Sequence, residues 1–206
     1  MKAQDLYPPL RASLKQACLE DIAEARQELL QPLVNYARKK LSSEETLILH
    51  FICTHNSRRS QMAQAWAQAI AWHFNLNLSA YSGGTEVTAF NPRAVKALQK
   101  AGFQISAQGE ENPHYLVNFS PEAPPLETWS KLYDDPANSQ EGFAAIMTCS
   151  EADDLCPFIP NADLRVPLYF EDPKIYDDTP QEQAQYLARS RQIASELCFL
   201  ANEIIS

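Results

Sequence analysis

Leu47-Ile48-Leu49-His50-Phe51-Ile52-Cys53-Thr54-His55-Asn56-Ser57-Arg58-Arg59-Ser60 decides how the rest of this chain is read. Its first six residues form an apolar run of strand length. An Ala-rich, Trp-bearing stretch from Gln61 to Phe74 follows and reads as helix. Cys53 therefore stands at the end of a buried strand, in a short loop at the mouth of a helix. Amide N–H groups at a helix N-terminus point outward, and the helix dipole favours negative charge there. Such a loop binds an oxyanion and favours the thiolate of a cysteine placed in it. Arg59, six positions after Cys53, can grip two oxygens of a tetrahedral oxyanion with its planar guanidinium. Ser60 can donate its hydroxyl to the sulfur.

The 206 residues suffice for one sizeable core or one domain with additions. A net charge of −9 argues against nucleic acid as a partner, because phosphate-backbone binding needs a basic surface. A local basic pocket at Arg58 and Arg59 can still attract a small anion. The first twenty residues lack a sustained apolar core, and no apolar run approaches membrane-spanning length. The expectation is a cytoplasmic protein with no membrane contact. Five cysteines without a secretory signal fit reduced thiols. Cys18 and Cys198, in apparent helices, read as packing residues.

Residues 1–46 read as a helical extension packed on the core, with Pro32 starting a second helix or kinking the first. The domain proper spans 47–206. Leu78 to Ser82 reads as a strand ending at Gly83-Gly84. Asn91-Pro92 opens a helix that stops at Gly102. Strand, helix, strand, helix argues for a parallel sheet with covering helices, and chemistry then belongs at the carboxyl ends of the strands. Residues 109–141, rich in proline, read as an insertion, with runs 114–119 and 127–133 forming a β-hairpin. Residues 143–148 and 164–170 are the next strands, Pro167 placing the second at a sheet edge or making it short. Gln181 to Ile205 closes the chain as a helix. The expected class is α/β, a central four-stranded parallel sheet flanked by helices.

A second chemical signal is Cys149-Ser150-Glu151-Ala152-Asp153-Asp154-Leu155-Cys156. Cys149 follows a buried strand and so lies at the same sheet end as Cys53. Two thiols beside a nucleophilic cysteine can perform disulfide exchange. Metal binding needs more ligands than two cysteines, and plain structural cysteines are the other reading. Glu171-Asp172-Pro173 is the third signal. A carboxylic acid there can protonate a leaving oxygen, or Asp172 simply makes a turn.

Cysteine, five residues, arginine and serine between strand and helix, with Asn56 and Gln61-Met62-Ala63, resembles the low-molecular-weight tyrosine phosphatase superfamily. The stretch from Cys149 to Cys156, with Pro157 after it, is similar to the resolving pair of its thioredoxin-coupled arsenate reductases. Glu171-Asp172-Pro173 resembles the family's acid loop. The resemblance covers roughly residues 47–108 and 142–204. It implies that Cys53 attacks the oxyanion, that Thr54, His55, Asn56, Ser57, Arg58 and Arg59 hold it, and that Ser60 and Asp172 assist. In the reductase, Cys149 and Cys156 pass a disulfide to thioredoxin. The resemblance implies no tightly bound cofactor or metal, though it allows a potassium ion near the loop. His55 departs from the family's usual glycine. Three readings follow: reduction of arsenate, hydrolysis of a phosphomonoester such as a phosphotyrosine protein, and a non-enzymatic anion or redox sensor.

Overall fold

The computed structural model describes residues 4–156 and 158–206; residues 1–3 and Pro157 lie outside that set. Four parallel strands form the main sheet in the order β2-β1-β6-β7, where β1 is Leu47–Cys53, β2 Leu78–Gly84, β6 Phe143–Met147 and β7 Ala162–Pro167. β1 is buried along its length apart from a half-buried Ile48, as a central strand covered on both faces must be. Pro167 ends β7 on the open edge, where its missing N–H breaks no inner ladder.

The helices α1 (Pro8–Ala17), α2 (Glu24–Ser42), α3 (Arg59–Phe74), α4 (Pro92–Ala101), α5 (Ser150–Leu155) and α6 (Glu182–Ile205) cover the sheet. Asn91 caps α4 by accepting from the Arg93 N–H, and Gly102 closes it in the left-handed region. The first two helices break at 18–23. α2 then continues past Pro32, which neither starts nor ends it. Leu10, Leu14, Leu30, Leu33 and Val34 enter the same core as the sheet and α6.

Two expectations change. Cys18 and Cys198 are not free packing thiols: the C-terminal end of α1 meets α6 with a Cα–Cα distance of 5.4 Å, within disulfide range, and the two are bonded. The hairpin of the 109–141 insertion is also larger than expected at one end and shorter at the other. β4 (His114–Asn118) pairs with β5 (Leu126–Thr128), but it also pairs with β3 (Gln104–Gln108), giving a three-stranded antiparallel sheet. Residues 129–133 leave β5 and run beside the end of β2, where Gly84 donates its N–H to the Lys131 carbonyl.

Candidate active site

Cys53 ends β1, and Arg59 is the first residue of α3, so the intervening loop turns between strand and helix. Asn56 takes a positive φ of 45°, a conformation asparagine tolerates better than most residues. Gly84 on β2 lets the loop sit close, since a Cβ there would stand 2.7 Å from the Thr54 carbonyl oxygen and 2.8 Å from the Asn56 nitrogen. Ser60 Oγ lies 3.0 Å from Cys53 Sγ and accepts from Asn56 Nδ2, also at 3.0 Å. That leaves the serine proton free to point at the sulfur. Asn56 Oδ1 accepts from the Lys131 N–H at 3.0 Å and from Gln61 Nε2 at 3.2 Å. The Ser130 hydroxyl donates to the His55 carbonyl at 2.9 Å. The loop is thus fixed by residues of α3 and by the 128–131 segment beneath it.

Arg59 is buried, and its guanidinium reaches the segment after β7. Nη1 donates to the Phe170 carbonyl at 2.9 Å and Nη2 to Asp172 Oδ2 at 2.8 Å. Asp172 Oδ1 also accepts from the Lys174 N–H, capping a single 3-10 turn over Pro173–Tyr176. Arg59, Ser150, Glu151, Tyr169, Phe170 and Asp172 face one cavity of about 350 Å³. Arg58 behaves differently. Its Nε donates to the Tyr186 hydroxyl at 2.9 Å, and Asp177 lies 3.6 Å from its Nη2. The Arg58 side chain therefore ties the loop to α6, a role its place in the motif did not suggest. His55 is exposed, 3.4 Å from Glu86, at the rim.

Cys149 arrives beside the loop because β6 pairs with β1, and the Thr148 hydroxyl donates to the Ile52 carbonyl at 2.9 Å. Cys149 is buried, with its Sγ 3.4 Å from Thr54 Oγ1. It stands at the N-cap position of α5 without a side-chain capping bond, and Cys156 follows that helix's last residue at the other end. Burial raises the Cys156 thiol pKa above its usual value.

With this geometry in view, the comparisons decide the family. Residues 48–113 match the model of the low molecular weight phosphotyrosine protein phosphatase family. An arsenate reductase of Bacillus licheniformis is 31% identical over 148 residues, 72% of this chain and 89% of the relative. The chain belongs to the low molecular weight phosphotyrosine protein phosphatase family. An arsenate reductase of Bacillus subtilis (strain 168) is 31% identical over 147 residues, 71% of this chain and 88% of the relative. The crystal structure of a YwlE mutant from Bacillus subtilis shares the fold, at a TM-score of 0.54 and 18% identity, over 78% of this chain and 100% of that one. The named members of this phosphatase family are enzymes, and so is this protein.

The phosphatase-family loop rests on groups that the motif did not announce. Lys131 is the least expected. Its side chain is buried, its Nζ lies 4.4 Å from the Trp129 ring centroid, and burial lowers its pKa to about 8. Gln64 is a second, its Oε1 accepting from Ser82 Oγ at 2.6 Å. These oxygens bear on the potassium ion that the resemblance allowed. Asn56 Oδ1 already accepts from the Lys131 N–H and Gln61 Nε2, and Gln64 Oε1 from the Ser82 and Thr128 hydroxyls. With those oxygens taken up by protein donors, the residues do not fit a resident cation. No helix among the described residues is long and apolar enough to cross a membrane.

Proposed function

We propose that this protein reduces arsenate to arsenite by a cysteine relay that thioredoxin resets in the cytoplasm. The observation that carries this reading is the contact of Cys149 Sγ with Thr54 Oγ1, the residue next to Cys53. A hydrolase needs one thiol at this site. Here a second lies beside it, and a third stands seven residues on. The relatives named as arsenate reductases support the same reading.

The steps follow from the geometry. Arsenate sits in the loop, held by its amides from Thr54 to Arg59 and by the Arg59 guanidinium. The Cys53 thiolate, stabilised by the Ser60 hydroxyl, attacks arsenic. Asp172 gives a proton to the departing hydroxide, which leaves as water. Arg59 now spends two of its five N–H donors on Phe170 and Asp172, and the acid role of Asp172 requires that carboxyl to leave the ion pair as the oxyanion binds. The Cys149 thiolate then attacks Cys53 Sγ. A sulfur–sulfur bond forms, the sulfur–arsenic bond breaks, and its electron pair stays on arsenic, which leaves as arsenite. Cys156 attacks Cys149, frees the Cys53 thiolate and closes a Cys149–Cys156 disulfide. Two electrons from the thioredoxin dithiol reopen it. Cys149 and Cys156 sit seven residues apart at the two ends of α5, about 10 Å at helical rise. A disulfide spans at most about 7 Å between Cα atoms, so α5 must uncoil in that step. Residues 1–46 serve as a packing layer on the 47–206 domain, and the 109–141 insertion braces the loop from below.

The test is arsenate-dependent NADPH oxidation with thioredoxin and thioredoxin reductase. Turnover is expected, and Cys149→Ser should abolish it. Absent turnover from a sample that hydrolyses an aryl phosphate through Cys53 would overturn this reading in favour of phosphomonoester hydrolysis.

A further inference from the structure

α5 should not be stable by its own means. It has six residues, fewer than an isolated helix needs. Glu151 and Asp153 fall in its first turn, where negative charge suits the helix dipole, but no basic residue of its own stands in its last turn. Ala152 is the one residue of the helix that is buried. What holds it comes from β7 and the chain after it. Arg165 Nη2 donates to the Asp153 carbonyl at 2.8 Å and to the Cys156 carbonyl at 3.2 Å. The same nitrogen lies 2.5 Å from Asp153 Oδ1. This places positive charge on the last carbonyls of α5, where helices accept it. The Tyr169 hydroxyl donates to the other Asp153 oxygen. That bond, above all, pushes the Tyr169 pKa up to about 12, so it stays protonated and donating.

Tyr169 also lines the cavity that Arg59 and Asp172 face. Its neighbour Phe170 offers the carbonyl that Arg59 Nη1 holds, and Asp172 takes Nη2. The segment 169–172 is therefore gripped by the oxyanion-binding arginine on one side and grips α5 on the other.

We propose that Asp153, Arg165 and Tyr169 form a latch that keeps α5 wound and Cys156 away from Cys149, and that oxyanion binding loosens it through Arg59. This rests on the relay reading for its purpose, not for its geometry. An oxyanion that takes the Arg59 donors leaves the Phe170 carbonyl and Asp172 without them. The 169–172 segment is then free to shift, and the Tyr169 hydroxyl comes off Asp153. These three are positioning residues, since none touches the reacting sulfurs.

The experiment uses the full chain carrying Cys53→Ser, so that no arsenate chemistry intervenes. Oxidised dithiothreitol takes two electrons and two protons from Cys149 and Cys156 and leaves as the dithiol. Closure is followed by alkylation and mass spectrometry. Tyr169→Phe and Asp153→Asn should each speed closure about tenfold, the effect of one hydrogen bond to a charged group. Saturating inorganic phosphate should speed closure of the parent but add nothing in Tyr169→Phe. That loss of response is one that mere loosening of the fold would not produce. Tyr169→Phe removes a single oxygen and keeps the test sound if Asp153→Asn misfolds. Closure within twofold of the parent in the variants would overturn the latch, and a parent indifferent to phosphate would overturn its coupling to the pocket. Failure of the relay reading would appear separately, as absent arsenate turnover, because closure is measured without arsenate.

Discussion

The Cys53 loop and the Cys149–Cys156 segment begin alike. Each starts with a cysteine at the carboxyl end of a strand, on neighbouring parallel strands, and each leads into a helix. They are held in opposite ways. Asn56, Ser60 and Gln61 are fully buried, and they bond to one another and to Thr128, Trp129 and Lys131. α5 leans on Arg165 and Tyr169, both part-exposed, with Leu155 facing solvent at its end. The difference matches the work proposed for each. An oxyanion loop must hold donors in place before charge develops, so it is fastened from many directions. A relay segment must unwind in every cycle, so it is fastened at few points that can open.

The largest expected effect tests the fixed half. Arg59→Lys keeps the charge but replaces a fork of donors with a point charge. It should lower arsenate kcat/KM about 10²–10³-fold, the cost typical of losing an oxyanion-stabilising donor. Because it also loses the fork that holds the Phe170 carbonyl and Asp172, it should speed Cys149–Cys156 closure without phosphate, by no more than the roughly tenfold expected of the latch variants. A loss below about fivefold would mean that the loop amides alone hold the oxyanion, and that Arg59 serves mainly the 169–172 segment.

What the sequence disclosed follows the same division. Cys53, Asn56, Arg59, Ser60 and Gln61 are close in the chain, and their spacing carries their geometry, so the loop was readable. The alternation of apolar strands with helices gave the parallel sheet for the same reason, because each element's period is local. Arg58 was readable as a residue but not as a contact. Tyr186, its partner, lies 128 positions away, and nothing near Arg58 points to it. Lys131 was read as part of a hairpin strand over 127–133, which hid its backbone bond to Asn56. The latch is the extreme case. Arg165 and Tyr169 come from β7 and the chain after it, and only the fold brings them to α5. The Cys18–Cys198 bond joins residues 180 apart, and reading each within its own helix concealed it.

That bond gives the next prediction, because it touches neither cysteine region. Cys18→Ser opens a long loop and should lower unfolding stability by about 2–4 kcal/mol, seen as a lower urea midpoint. Closure of Cys149–Cys156 and the first turnover on arsenate should stay within twofold of the parent. A large change in either would make the staple part of the relay and would erase the separation drawn here between fixed frame and moving segment.

His50 carries the smallest effect and the sharpest division. It lies on β1 beneath the loop, fully buried, with Tyr81 and Phe143 rings near it and the Lys131 ammonium acting on it. Neither ring nitrogen has a hydrogen-bond partner among the described residues. Burial, and to a lesser degree Lys131, lowers its pKa from 6.5 to about 3. Between those two values the unfolded chain binds a proton that the folded chain refuses. Stability therefore falls as pH drops through that window, by up to about 1.4 kcal/mol per pH unit from this one group. His50→Leu should flatten the slope of urea stability between pH 6 and 4, as roughly estimated from the same linkage, while leaving the neutral-pH rate of cysteine closure unchanged. An unaltered slope would mean that the β1 side of the frame accommodates the charge. The loop's rigidity would then owe less to a dry core beneath it than to the bonds of Asn56 above.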